Sequence, residues 1–339
     1  MFANRILRKV VKIVLPFVLG GAILYWMYRD VDFHAMLQFM EREMDWTWMW
    51  LSFPFGILAQ MFRGWRWRLT LEPIGENARA RTSVNSIFVS YAVSLIVPRI
   101  GEFTRCGILN RKDGVSFAKA LGTVVVERAV DSILILLLTA GTLLLQMRVF
   151  GIFFEKTGVN IGETLHGFSA TGYLVTLICG IAALLCLYSV RKKLSIYNKV
   201  KTTVQGVWEG VLSLKHVRNV PLFLFYSVMI WVSYFLHYYL TFFCFDFTAD
   251  LGIMCALVTF IVGSIAVIVP TPNGMGPWHF AVKTMLILYG VADINALYFV
   301  LIVHTIQTLL VVALGIYGWV SLSLMPTLEK QRDPLAHAD

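Results

Sequence analysis

Ile96-Val97-Pro98-Arg99-Ile100-Gly101-Glu102-Phe103-Thr104-Arg105 places a proline, a glycine, two arginines and a glutamate between apolar stretches. The run 84–97 ahead is largely apolar, 98–113 is polar, and 115–126 is apolar again. Pro98 stops an incoming helix and Gly101 permits the turn. Backbone groups freed at such a break need protein or water around them if the break lies within hydrocarbon. An arginine at the centre of a membrane helix costs about 2.5–3.5 kcal/mol on insertion scales, so the charges point to a polar cavity. The other reading places them at the cytoplasmic interface, where they only fix topology.

The rest of the chain supports a membrane setting. Of 339 residues, 58% are hydrophobic and 14% charged, where a soluble domain carries about 25% charged residues. Segments 10–28, 129–147 and 173–190 are long enough, or nearly so, to cross about 30 Å of hydrocarbon as helix. The longest polar stretches, 29–45, 150–166 and 191–219, are read as loops too short to bury a core. The expectation is one membrane domain over 1–325, followed by a flexible tail over 326–339. The net charge of +9 fits the Lys/Arg excess of cytoplasmic loops and needs no nucleic acid. Five cysteines form no C-x-x-C and seven histidines no H-x-x-x-H, so neither a metal nor a cofactor is expected. The first apolar run follows Arg5, Arg8, Lys9 and Lys12 but meets Trp26, Tyr28 and Arg29 without a small-x-small cleavage site, so it reads as a retained span.

Positive-inside counting sets the topology. The basic N-terminus is placed inside and the acidic 29–45 stretch outside. Arg63, Arg66, Arg68, Arg79 and Arg81 bring the chain back inside after a span at 46–62. The 191–218 segment and Lys330 with Arg332 are further cytoplasmic stations. With a span starting near Ala129, the intervening segment 84–126 must enter and return, either as a re-entrant hairpin or as two thin helices. By the same count 251–290, broken at 270–277, forms a second hairpin entered from the opposite side. The expected fold is therefore all-α and polytopic, about six transmembrane helices plus two re-entrant helical hairpins. Both termini are cytoplasmic and the setting is a bacterial inner membrane.

The hairpins resemble each other. Residues 114–136 align without gaps to 290–312, matching Ala120 to Ala296, Leu121 to Leu297 and Val124 to Val300, and placing Arg128 on His304. Ile96-Val97-Pro98 likewise matches Ile268-Val269-Pro270. Opposite orientations make this an inverted-topology repeat, with halves about 8–148 and 168–323. Such repeats place substrate sites near the midplane, where broken helices meet.

Three constellations could carry chemistry. Arg99 and Arg105 offer planar forks suited to phosphate or carboxylate, with Glu102 between them. Glu127-Arg128-Ala129-Val130-Asp131, read as the start of an apolar span, puts Arg128 and Asp131 on one helix face for an internal ion pair. That motif is either a structural salt bridge pinning the two halves together or a proton- or cation-responsive site beside the lipid path. Pro270-Thr271-Pro272-Asn273-Gly274-Met275-Gly276-Pro277-Trp278-His279 cannot be one continuous helix. His279 opens its returning arm and His304 lies deep in the last span; each is a hydrogen-bonding structural group or a proton relay. Arg63-Gly64-Trp65-Arg66-Trp67-Arg68 reads as interfacial anchoring, with Arg66 able to gate the first hairpin. Apolar spacing over 196–214 suits an amphipathic helix on the inner surface.

In order, Arg63-x-x-Arg66-Trp67, Pro98-Arg99-x-Gly101-Glu102-x-x-Arg105, Glu127-Arg128-x-x-Asp131 and Pro270-x-Pro272-x-Gly274-x-Gly276 resemble the lysylphosphatidylglycerol synthase transmembrane-region family. In the two-domain synthases of that family, this region is linked to flipping an aminoacylated lipid made by a soluble acyltransferase domain. The resemblance implies a lipid translocase without synthase activity, the chain ending soon after its last span. The implied partner is a phospholipid or polyprenyl-phosphate lipid. Arg99, Arg105 and Arg128 would hold its phosphate; Glu102, Glu127 and Asp131 would balance charge or bind a cationic headgroup. Arg66, His279 and His304 would complete the site. Asn273 replaces a usual glycine, His279 a usual acid and His304 a usual arginine, leaving the second half-site less cationic. The alternatives are an enzyme of headgroup or sugar transfer using Glu102 or Asp131 as base, and a membrane subunit that recruits a lipid-modifying enzyme.

Overall fold

The computed structural model of the chain describes residues 25, 29, 32–145, 217, 219–269 and 271–327. Among them every regular element is helical and no strand occurs. The spans expected at 10–28 and 173–190, the amphipathic helix at 196–214, Pro270 and most of the tail 326–339 lie outside the described residues.

The segment 29–45, expected to be a polar loop, contains helix α1, Phe33–Arg42. The Asp32 side chain accepts hydrogen bonds from the backbone N–H of His34 and Ala35, a standard N-terminal cap. Met36, Phe39 and Met40 lay one face of α1 on an apolar core. The acidic composition hid that face, because only three residues of ten needed to be buried. Asp45 caps the next helix, α2, Trp46–Leu71, through the Thr47 N–H.

Helix α3, Ala80–Ile96, ends where Val97 turns extended and Arg99 adopts φ 64°. Helix α4, Ile100–Asp113, then packs back along α3. The approach is close at Gly101, where an added Cβ would collide with the Ser90 carbonyl oxygen and Ser94 Oγ. Gly114 at φ 70° closes α4, and α5, Phe117–Leu145, runs on without interruption. The helix over the span expected from about Ala129 thus begins some three turns earlier, since no proline or glycine pair breaks the chain after Phe117. Glu127, Arg128 and Asp131 consequently lie within a helix, not at its start.

The later segment has a corresponding order. Helix α6, Val220–Tyr239, continues as a 3-10 segment, Leu240–Cys244. Helix α7, Gly252–Ala266, is followed by a break containing the short turn Pro272–Gly274. Helix α8, Pro277–Leu288, returns along α7, and α9, Asp293–Leu324, completes the succession. Val220–Cys244 and Asp293–Leu324 are long and apolar enough to cross a membrane.

One apolar core joins Trp67, Leu71, Ile87, Cys106, Leu109, Ala120 and Val124 of α2–α5. Another gathers Tyr238, Phe242, Phe245 and Phe299 around α6 and α9. Helix α6 packs along α2 and α9 along α3. The second seam is tight: Gly315 meets Ala92, Gly318 meets the Asn85 carbonyl, and Asn85 Nδ2 donates to Ser321 Oγ at 2.8 Å. Leu136, Leu137 and Leu144 on α5 and Ile316 and Trp319 on α9 face outward, as lipid-facing side chains do.

Candidate functional site

Three helices converge behind the first break. Helix α2 contributes Arg63 and Arg66, which stand one turn apart on one face. Helix α4 contributes Glu102 and Arg105, and α5 contributes Glu127, Arg128 and Asp131. Asp131 bridges both arginines of α2, with Oδ2 at 2.6 Å from Arg63 Nη1 and Oδ1 at 2.8 Å from Arg66 Nη1. Glu127 Oε2 lies 2.7 Å from Arg105 Nη2, and its Oε1 is 4.0 Å from Arg66 Nε. The Arg105 guanidinium also stacks over the Trp67 ring at 4.5 Å. Trp67 is fixed in turn by its Nε1–H donating to Thr123 Oγ1 at 2.9 Å.

Depth divides this network into two layers. Arg63, Arg66, Arg105, Glu127 and Asp131 are all buried. The outer layer is the Arg128–Glu102 pair at 2.6 Å, whose side chains are 46% and 29% exposed. The ion pair expected between Arg128 and Asp131 is long, at 4.0 Å. Asp131 points instead toward α2, where two guanidinium groups compete for it. Arg66 also reaches toward the later segment, its Nη1 donating to Ser227 Oγ of α6 at 3.3 Å.

Arg99 stands apart from this cluster. It is exposed at the start of α4, and its Nη2 donates to the Ile268 carbonyl at 3.4 Å. That bond links the first break to the second, whose short turn also packs against α3. At the second break Asn273 takes φ 52°, and its Nδ2 donates to Thr308 Oγ1 of α9 at 2.7 Å. His304 Nε2 is 3.1 Å from the Asn273 carbonyl. The Gly276 N–H donates to His279 Nδ1 at 3.4 Å, and the rings of His279 and His304 are 4.4 Å apart. Gly274 at φ 69° and Gly276 at φ 88° supply left-handed turns around Pro272.

The chain matches the family model for the lysylphosphatidylglycerol synthase TM region over residues 13–315. It belongs to that family. A UPF0104 membrane protein of Methanocaldococcus jannaschii is 26% identical over 246 residues, covering 67% of this chain and 70% of the relative. No solved structure matches.

In this family member the sequence-selected residues fall into three places. Arg66, Arg105, Arg128, Glu102, Glu127 and Asp131 share the network between α2, α4 and α5. Arg99, Pro98 and Gly101 shape the first break, while His279, His304, Pro272, Gly274 and Gly276 shape the second. Arg99 therefore does not join Arg105 and Arg128 around one point. Arg63 and Trp67 are full members of the network that the sequence reading left as interfacial anchors. Their signal was present in Arg63-x-x-Arg66-Trp67, because a spacing of three places two guanidinium groups on one helix face.

Proposed function

We propose that this protein is a lipid translocase that moves a phosphate-bearing headgroup across the membrane while the acyl or polyprenyl tails stay in the bilayer. The observation that carries this reading is the meeting of two helix breaks, through Arg99 and the Ile268 carbonyl, beside a buried multi-arginine network. Broken helices supply polar backbone at depth, and arginine forks recognise phosphate in two-point contacts.

In this reading the breaks α3–α4 and α7–α8 are re-entrant hairpins of an inverted repeat, entered from opposite faces, within about six spans. The termini are cytoplasmic and the membrane is the bacterial inner membrane. Arg99 and the Arg128–Glu102 pair meet the headgroup first, and Arg66 and Arg105 receive its phosphate. No covalent bond is made or broken, so the protein acts as a carrier and not as an enzyme.

The test uses the full chain in liposomes containing a fluorescent tail-labelled phospholipid and an external, membrane-impermeant reductant. Translocation lets the reductant quench well beyond the outer-leaflet half of the label. Quenching that stops at the level of protein-free liposomes, across glycerophospholipids and polyprenyl phosphates alike, ends the proposal.

A further inference from the structure

Two tight seams leave a groove between them. Gly64 of α2 approaches α3 so closely that an added Cβ would sit 2.8 Å from Val84 Cα. On another side of α3, Gly315 and Gly318 bring α9 against Ala92 and the Asn85 carbonyl. Helices α2 and α9 thus both close on α3 and stand apart over it. The cleft that remains holds about 470 Å³, within the range of about 300–1,000 Å³ typical of small-molecule sites.

Ile57, Met61 and Trp65, spaced four apart on α2, form one wall. Val84 and Phe88 form the floor, and Leu314 and Tyr317 of α9 the other wall. At 1.5 Å per residue the α2 wall runs about 12 Å, close to the roughly 15 Å of one leaflet's hydrocarbon. That shape suits an extended chain. Arg81 is the one charged residue lining the groove, and it lies one turn before Val84, at the end marked by Gly64 and Trp65. Its Nε donates to Ser321 Oγ at 3.2 Å, and Asn85 Nδ2 donates to the same oxygen at 2.8 Å. Anchoring through Nε leaves both Nη groups of this exposed residue to face a ligand. Among the described residues no carboxylate lines the groove, whereas neighbouring Arg79 is paired with Asp113 at 2.7 Å.

We propose that this groove is a lipid site separate from the arginine network. One acyl chain of an anionic glycerophospholipid lies along α2 and α9 over α3, and its phosphate takes the Arg81 fork. Guanidinium matches phosphate oxygens in two-point contacts, and the apolar walls match the tail. Arg63 and Arg66 point from α2 into the buried network, so the two sites share no side chain. The bound lipid joins α2 of the earlier segment to α9 of the later one. It does so whether or not the protein transports lipid.

The test places the full chain in phosphatidylcholine nanodiscs with a tracer of phosphatidylglycerol or phosphatidylcholine carrying a photoreactive diazirine in one acyl chain. Labelled residues are mapped by peptide mass spectrometry. Labels on Met61 and Phe88, normalised to outward-facing Trp319, should be about threefold higher with the phosphatidylglycerol tracer, the scale of an exposed ion pair. Arg81→Gln, at an exposed position where folding is little at risk, should remove that difference and leave Trp319 labelling unchanged. Arg81→Lys should keep part of it. Met61→Trp fills the groove and should lower groove labelling by both tracers. Equal labelling by the two tracers, or an Arg81→Gln variant that keeps the difference, overturns the proposal. Groove residues that neither tracer reaches overturn it too, because another part of the chain or a second copy then fills the cleft. If excess glycerol 3-phosphate abolishes the preference and sodium chloride of equal ionic strength does not, Arg81 takes a free phosphate and the lipid is overturned as its occupant.

Discussion

Arg105 and Glu127 lie 2.7 Å apart, Nη2 to Oε2, with both side chains closed off from solvent. Breaking a buried ion pair by removing one partner typically costs about 3–5 kcal/mol, because the other charge is left behind. Here the two removals are not equivalent. Glu127→Gln leaves three buried guanidinium groups facing Asp131 alone, whereas Arg105→Met leaves two guanidinium groups facing two carboxylates. Glu127→Gln should therefore lower the thermal unfolding midpoint in detergent more than Arg105→Met. The reverse order would mean that the Arg105–Trp67 stack, not charge balance, dominates at this point.

The crossing of α3 and α4 depends on Gly101, whose Cβ position is occupied by the Ser90 carbonyl oxygen and Ser94 Oγ. Gly101→Ala must push backbone apart, and overpacking of this kind costs about 1–3 kcal/mol. Gly107 is in the same helix with nothing within 4 Å of an added Cβ. Gly107→Ala should be neutral or stabilising by up to about 1 kcal/mol, from helix propensity alone. Paired thermal unfolding curves of the two variants test the packing directly, and equal midpoints would contradict it.

The breaks were legible in the sequence because proline and glycine act locally, as at Pro98-Arg99-Ile100-Gly101 and Pro272-Asn273-Gly274. Helix limits were less legible. Charge counting placed the third span near Ala129, yet α5 begins at Phe117, since positive-inside bias sets orientation without marking where a helix starts. Partner choice was the least legible. Arg128 and Asp131 share a helix face by spacing, but Arg63 and Arg66 arrive from α2 and win Asp131 at 2.6 and 2.8 Å. Local spacing puts Arg63 and Arg66 on one helix face but does not show which other helices converge on them. Helix α1 shows the same limit, because its acidic sequence concealed the narrow face formed by Met36, Phe39 and Met40.

Asn273 separates backbone conformation from side-chain bonding at the second break. Its φ of 52° suits asparagine or glycine, and its amide reaches Thr308 across to α9. Asn273→Gly should keep the turn and lose roughly 1 kcal/mol with the hydrogen bond. Asn273→Val loses the same bond and adds left-handed strain in a β-branched residue, roughly 1–2 kcal/mol more. The order wild type, glycine, valine in unfolding midpoint is the expected outcome. A glycine variant as unstable as the valine variant would show that the Thr308 bond, not the turn, sets the stability of this break.

Arg99 is the non-glycine residue at the first break with positive φ, at 64°. A left-handed backbone costs an ordinary side chain about 1–2 kcal/mol relative to glycine. Its hydrogen bond to the Ile268 carbonyl is long, at 3.4 Å, and lies on the exposed side, so it offsets only part of that strain. Strain retained without a matching structural gain points to a functional demand on the guanidinium. Arg99→Gly should therefore raise the unfolding midpoint slightly while slowing lipid transport and weakening the binding of dioctanoyl phosphatidylglycerol. Arg99→Lys keeps the charge but loses the planar fork, and should restore binding in part while leaving the strain in place. A purely structural arginine gives a different pattern, in which stability and transport fall together in the glycine variant and lysine rescues neither.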